Sequence, residues 1–153
     1  MLKKLLLLTA ALCSIAPATA GSLISEESKH LASCEGIYIF LAHLSQMQNN
    51  EGLAKNLLYR ASRVYAANVF MYFSKGDVPD ETLAQWKAVR RVEKPSLDAN
   101  PQLAIYRASE CDKTVEQSIR RIRNENKKVW AGLSYDEFQQ TIFNQSMTSM
   151  GIR

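Results

Sequence analysis

One pair of cysteines limits most strongly what this chain can fold into. The chain has three cysteines, and Cys13 lies in a segment that we predict to be removed, which leaves Cys34 and Cys111. An even pair in a small exported domain is typical of a structural disulfide. A redox pair usually has the close C-x-x-C spacing and a thiolate at a helix start, whereas these cysteines are far apart within predicted helices. We therefore expect Cys34 and Cys111 to form a structural disulfide.

Residues 1–20 have the layout of a secretory signal peptide. A pair of lysines precedes a short apolar run, and a small-x-small cleavage pattern follows at Ala18-Thr19-Ala20. Lipidation at Cys13 is the alternative, but a large leucine precedes this cysteine where a lipidation site has a small residue. We predict cleavage after Ala20, a mature chain of residues 21–153, and a periplasmic or secreted location.

Composition and charge argue against several classes of protein. The apolar fraction of 46% is that of an ordinary globular protein rather than a disordered one. Loss of the signal removes two lysines and no acidic residue, so the formal net charge falls from +4 to +2. This small excess is a weak argument for nucleic-acid binding. No second run of about 18 apolar residues follows, so we predict no transmembrane segment after signal cleavage.

The mature chain has helical periodicity from end to end. Apolar residues recur at spacings of three and four, as in Leu31, Cys34 and Tyr38, and no run has the period of two that is typical of strands. We therefore predict an all-α fold: a single small bundle of about five helices, stapled by one disulfide. The predicted helices run from Ser22 or Ser25 to Gln46, from about Glu51 to Gly76, from Asp77 or Asp80 to Lys94, from Pro101 to Gly132, and onward from Ser134.

The second of these helices should be central, because two apolar stripes indicate burial on more than one side. Residues 94–100 are predicted to be the longest connection, a loop, because Pro95 disfavours helix in the residue before it. The last helix should begin with a capping box formed by Ser134 and Glu137.

Two residues inside the predicted helices need a packing explanation. Gly36 costs about 1 kcal/mol of helix propensity relative to alanine, so we expect another helix to approach closely there. Asn68 lies in the almost wholly apolar run 64–73, and a buried asparagine needs hydrogen-bond partners. We favour a structural role for Asn68, in fixing helix register, over ligand binding.

No catalytic or metal site is evident. His30 and His43 are thirteen residues apart on one predicted helix, so they should point to different sides and not share a metal. His43 and Met47 could face one soft metal, but this spacing is common by chance. Glu35 and Asp112 flank the cysteines and could do acid–base chemistry only if both were buried. We expect exposed carboxylates there, and no cofactor.

A basic cluster lies on the predicted fourth helix, on the side opposite its apolar seam. It should be exposed, either as a solvated face or as an electrostatic contact with an acidic partner. Nucleic-acid binding would also need aromatic stacking or a recognised motif, and neither is evident. The cluster consists of Arg120, Arg121, Arg123, Lys127 and Lys128.

These observations predict a non-enzymatic exported protein that binds another protein of the cell envelope through a helical surface. An inhibitor, an immunity protein and an envelope accessory factor all fit, and the partner is unknown. The alternative is a carrier of a small ligand or metal with an apolar pocket in the bundle, among Tyr65, Phe70, Tyr72 and Phe73.

Overall fold

The protein is an all-α bundle. The computed structural model describes residues 24–73, 80–92, 94–125 and 132–152, and no strand occurs in these ranges. The helices are α1 (Glu26–Met47), α2 (Glu51–Phe73), α3 (Asp80–Val92), α4 (Lys94–Ala99), α5 (Pro101–Glu125) and α6 (Tyr135–Ser149). This confirms the predicted class, with α4 as a short addition. The predicted signal segment lies outside the described residues, as do the predicted helix end at Gly76 and the last turns before Gly132.

Local capping chemistry sets the helix starts where the sequence indicates them. Ser25 is the N-cap of α1, and its side chain accepts from the Ser28 amide at 3.1 Å. Ser134 and Glu137 form the predicted capping box at α6, with the Ser134 amide 2.8 Å from the Glu137 carboxylate. Each cap satisfies amide groups that have no partner inside the helix.

The prediction that residues 94–100 form a loop is wrong, because Lys94–Ala99 is α4. Pro95 lies in the first turn, where an amide hydrogen would have no partner within the helix, so proline is tolerated there. Leu97 is buried, and Lys94 pairs with Asp98 one turn later at 2.6 Å. Burial of Leu97 therefore outweighs the helix-ending tendency of the proline.

The first two helices form the centre of the bundle. α1 and α2 pack along each other, α3 contacts α1, α5 contacts both, and α6 contacts α2. The core contains large buried side chains from several of these helices. Among them are Leu31, Tyr38, Leu58, Val64, Phe70, Trp86 and Ile122.

The predicted disulfide joins α1 to α5. Cys34 and Cys111 are bonded, with their Cα atoms 5.7 Å apart, a separation that a disulfide readily spans. Both cysteines are buried. The bridge therefore fixes α5 against α1 from within the core.

Asn68 is fully buried and has partners, as predicted. Its Oδ1 accepts from Ser28 Oγ at 2.8 Å, and its Nδ2 donates to the Ser28 carbonyl at 3.2 Å. Ser28 Oγ also accepts from Trp86 Nε1 at 2.7 Å. The network joins α1, α2 and α3, and it satisfies these polar side-chain groups inside the core.

Gly36 lies at a close approach of α3 to α1. A Cβ atom at this position would be 2.7 Å from the carbonyl oxygen of Arg90 and 3.2 Å from its Cα. The packing explanation predicted for Gly36 is therefore confirmed. This contact also places Arg90 beside the residue that precedes Gly36 in the chain, Glu35.

Candidate functional site

A buried ion pair lies beside the contact at Gly36. Glu35 Oε1 accepts from Arg90 Nη1 at 2.6 Å, and the Glu35 side chain is only 5% exposed. The expectation of an exposed carboxylate is wrong for Glu35, because the glycine lets α3 come close enough to cover it. Glu35 Oε2 is buried and has no hydrogen-bond partner among the described residues. Burial raises the pKa of Glu35 to about 7, against the opposing effect of Arg90.

Asp112 is exposed, as expected, and has different partners. It accepts from the Tyr38 hydroxyl at 2.8 Å and from Arg60 Nη1 at 2.6 Å. Burial, with the Asp112 hydrogen bond, raises the pKa of Tyr38. Since Glu35 is bound by α3 and Asp112 by α1 and α2, the two carboxylates do not form an acid–base pair.

A cleft of about 380 Å³ opens between α1, α3 and α4, and we call it the basic cleft. Its floor is apolar and its rim is cationic. No described carboxylate lines it. The floor consists of Gly36, Ile39, Phe40 and Leu97, and the rim consists of His43, Lys87, Arg90, Arg91 and Lys94.

The cations of the rim are not equally available. Arg90 is paired with Glu35, and Lys94 is paired with Asp98. Lys87 and Arg91 are exposed, and neither forms an ion pair with any described residue. They are four residues apart, so they share one face of α3. The rim therefore presents two positive charges that no described carboxylate pairs with, next to an apolar floor.

A second cleft of about 370 Å³ lies between α1, α2 and α6, and we call it the neutral cleft. It shares Ile39 and His43 with the basic cleft. Its lining contains no described lysine, arginine or carboxylate. The other residues that line it are Leu58, Ile142, Gln145, Ser146, Ser149 and Met150.

The predicted basic cluster is exposed wherever it is described. Arg120, Arg121 and Arg123 have 75%, 45% and 54% of their side chains exposed, whereas Lys127 and Lys128 lie outside the described residues. Each of these arginines is already bound by a carboxylate. The pairs are Arg120 with Glu116 at 3.0 Å, Arg121 with Glu27 at 2.6 Å and Arg123 with Asp136 at 2.6 Å. Their role in partner binding stays a prediction.

The two histidines have separate surroundings, as their spacing predicts. His30 Nε2 lies 2.7 Å from Thr114 Oγ1 and 3.7 Å from Cys34 Sγ, whereas His43 lines both clefts. Met47, the other residue of the soft-metal alternative, is 79% exposed. Within the described ranges, no group of three or more histidine, cysteine or acidic residues is placed to hold a metal ion.

The aromatic residues of the carrier alternative pack against other rings. Phe70 contacts Tyr135 and Phe138, with ring centroids 5.4 and 5.8 Å apart. Tyr72 lies 5.5 Å from Trp86 by the same measure, and Tyr65 lies 6.3 Å from it. The side chain of Phe73 is outside the described part. The described rings of this set contribute to ring-to-ring packing.

Comparison with protein-family models, with curated proteins and with solved structures finds no match for this chain. In the part of the chain that the structure describes, no helix is long and apolar enough to cross a membrane. The assignment of the site therefore depends on its geometry and charge.

Sequence reasoning did not identify the basic cleft, although a signal was present. Lys87, Arg90, Arg91 and Lys94 have the spacing of one helix face. Gly36 indicated a close approach to another helix without showing which one. Only the docking of α3 on α1 brings the two signals together.

Proposed function

We propose that the protein is an exported, non-enzymatic binding protein whose basic cleft receives an acidic segment of a partner protein in the cell envelope. One observation carries the proposal: Lys87 and Arg91 are exposed and form no ion pair with any described residue, and they lie beside an apolar floor that no described carboxylate lines. Complementary charge gives an interface its orientation and association rate, and apolar anchors contribute much of its binding energy. The basic cleft offers both features.

The charge pattern favours the basic cleft over α5 as the contact. A partner that binds Arg121 or Arg123 must replace an existing carboxylate, Glu27 or Asp136. Such a replacement returns little net free energy, since one ion pair is exchanged for another. Lys87 and Arg91 have no such competitor among the described residues.

The shape of the basic cleft favours a protein segment over a small anionic lipid. His43, Lys87, Arg91 and Lys94 line it and are all exposed. Pockets for small molecules usually bury about 70–90% of the ligand surface. An acyl chain in this open cleft would remain partly in water, whereas a partner protein covers the cleft with its own surface.

Charge reversal on the rim tests the proposal. The tagged Lys87→Glu/Arg91→Glu variant and the wild-type protein would be used to capture partners from an envelope extract. The matched control, Lys113→Glu/Arg120→Glu, changes the charge equally at exposed positions of α5. We expect the rim variant to lose about tenfold or more in affinity for the captured protein and the control to retain binding. Binding of the partner by the wild type should weaken at high salt.

Two results would contradict the proposal. One is equal capture by the wild type and the rim variant. The other is a lipid mass that native mass spectrometry finds on the wild type but not on the rim variant, since a lipid would then be the occupant.

The export part of the proposal has its own test. The intact mass of protein recovered from the periplasm or medium should lack residues 1–20 and begin at Gly21. A retained Cys13 that carries lipid would contradict both the predicted cleavage and the predicted location.

A further inference from the structure

We infer that the segment received by the basic cleft is an amphipathic helix, which straddles α1 with one acidic edge over α3 and one neutral polar edge over α6. This inference depends on the proposed function, because it names the kind of partner that the same site would bind. It follows from the way the basic and neutral clefts meet on α1.

The two clefts lie on either side of a single ridge. Both are lined by Ile39 and His43, which are four residues apart on α1, and Met47 continues the row. Rows of this spacing are the ridges that pack into grooves when two helices meet. The ridge therefore has a groove on each side, closed by α3 and α4 on one flank and by α6 on the other.

A helix of the partner would be complementary in shape to this ridge. Two neighbouring rows of its side chains would enter the two clefts, while the ridge of Ile39 and His43 would fill the groove between those rows. The ridge from Ile39 to Met47 extends over about 12 Å, so roughly two turns of the partner would be in contact. Each cleft would accept one or two apolar side chains.

The charges of the two flanks differ, and this difference orients the partner. Lys87 and Arg91 stand on the α3 flank, while Gln145 and Ser149 stand on the α6 flank. No described carboxylate lines either cleft. A partner with acidic residues along one edge only would be held in a single orientation across α1.

The spacing of the free cations sets the spacing of the acidic residues. Side chains four apart on a helix are separated by about 5–6 Å at Cβ, and Lys87 and Arg91 have this spacing on α3. Two carboxylates one turn apart on a partner helix would match both cations.

An extended strand can present two carboxylates at a similar spacing, but it is a poor occupant. The walls of both clefts are helices, whose main-chain groups bond within the helix. A strand would find few partners for its own main-chain donors and acceptors, whereas a helix satisfies them internally. The chemistry of the walls therefore selects a helix.

Three synthetic peptides of about four turns test the inference against the disulfide-bonded mature protein. The edge peptide has an apolar stripe with two glutamates one turn apart beside it. A permuted peptide has the same composition with the glutamates opposite the stripe, and a broken peptide is the edge peptide with a central proline. By fluorescence anisotropy we expect the edge peptide to bind about tenfold tighter than either of the others.

A paired substitution on α6 tests the neutral cleft. Ser149 is exposed and lines this cleft, whereas Thr148 is exposed and does not line it. We expect Ser149→Trp to weaken binding of the edge peptide by about tenfold and Thr148→Trp to change it by less than about twofold. Circular dichroism of both variants checks that the bundle remains folded.

The results separate this inference from the proposed function. Equal affinity for the edge and broken peptides, or no effect of Ser149→Trp, would overturn the helical partner. The proposed function would still stand if the Lys87→Glu/Arg91→Glu variant lost its envelope partner. If that variant kept its envelope partner while the peptide preferences held, the proposed function would fail and the helix-binding groove would stand.

Discussion

α1 is held by α5 and by α3 in physically different ways. Against α5 it has a covalent bond, Cys34–Cys111, and an exposed ion pair between Glu27 and Arg121. Against α3 it has a steric fit at Gly36 and a buried ion pair between Glu35 and Arg90. The first contact depends on the redox state, whereas the second depends on close packing and on the protonation of one carboxyl group. The candidate site lies on the second contact.

The two contacts also treat their cations differently. On α5 each described arginine of the basic cluster forms an ion pair with a carboxylate. The carboxylates that pair with Arg121 and Arg123 lie on other helices. On α3, Lys87 and Arg91 lie beside a cleft and form no ion pair within the part of the chain that the structure describes. A similar density of positive charge along two helices therefore gives a neutralised surface in one place and an electrostatic site in the other.

The largest expected effect is loss of the covalent bond to α5. We expect Cys34→Ser/Cys111→Ser to lower the free energy of unfolding by roughly 2–5 kcal/mol. The bond closes a loop with a sequence separation of 77, and its loss frees the unfolded chain. Thermal melts of the wild type and the variant without reductant check this. Equal melting would contradict a structural role for the disulfide.

The next effect concerns the steric fit to α3. Gly36→Ala places a Cβ 2.7 Å from a main-chain oxygen, so α3 must shift. Overpacking of this kind costs about 1–3 kcal/mol, against about 1 kcal/mol of gained helix propensity. We expect a net loss of stability, measured by urea unfolding, together with weaker binding at the basic cleft.

Gly52→Ala is the matched control for this substitution. Gly52 lies in α2, and a Cβ there would meet nothing within 4 Å. We expect this variant to be more stable by about 0.5–1 kcal/mol. If both alanine variants gained stability equally, α3 would not be held by the close approach at Gly36.

The protonation of Glu35 should make stability depend on pH. Burial raises the pKa of Glu35 to about 7 in the folded protein, from the 4.5 of an ordinary glutamate, so the folded state holds the proton more tightly than the unfolded state. The contribution of protonated Glu35 to the free energy of unfolding is full below pH 4.5 and is lost as the pH rises to about 7. We expect the wild type to lose about 1–3 kcal/mol over this window through this group.

Glu35→Gln removes the titrating carboxyl group and so tests whether Glu35 causes the pH dependence of stability. Urea unfolding at the two ends of the window should show a smaller fall in stability for Glu35→Gln than for the wild type. Glu110→Gln changes an exposed carboxylate and should retain the wild-type profile. Since Arg90 lines the basic cleft, Glu35→Gln should also strengthen binding of an acidic segment. Identical pH profiles for the wild type and Glu35→Gln would contradict the assignment.

The difference between the α5 and α3 contacts with α1 explains which features of the fold can be predicted from the sequence. The caps at Ser25 and Ser134 and the disulfide follow from local chemistry, cysteine number and periodicity, and the structure bears them out. The burial of Glu35 depends on which helix docks at Gly36, and no local pattern specifies that. Pro95 allows two interpretations, because proline often follows the end of a helix and is also tolerated in the first turn of one. The burial of Leu97 favours the first turn of a helix at this position.

The smallest effect on stability should come from the exposed arginines of α5. Exposed ion pairs contribute about 0–1 kcal/mol each, and surface substitutions usually change stability by within about 0.5 kcal/mol. We therefore expect Arg120→Gln/Arg121→Gln/Arg123→Gln to fold normally and to keep the association rate of the wild type. The matched variant, Lys87→Gln/Arg91→Gln, should melt like the wild type but associate more slowly and with less dependence on salt.

Association rates of these two variants at two salt concentrations decide between the two basic regions. A slower, less salt-dependent association for the α5 variant alone would place the partner on α5, as the sequence first indicated. The free cations of α3 would then be an ordinary solvated face. If the α3 variant alone is affected, the availability of a charge, rather than the number of charges along a helix, determines where an acidic partner binds. The arginines of α5 would then serve mainly to hold α5 against α1 and α6.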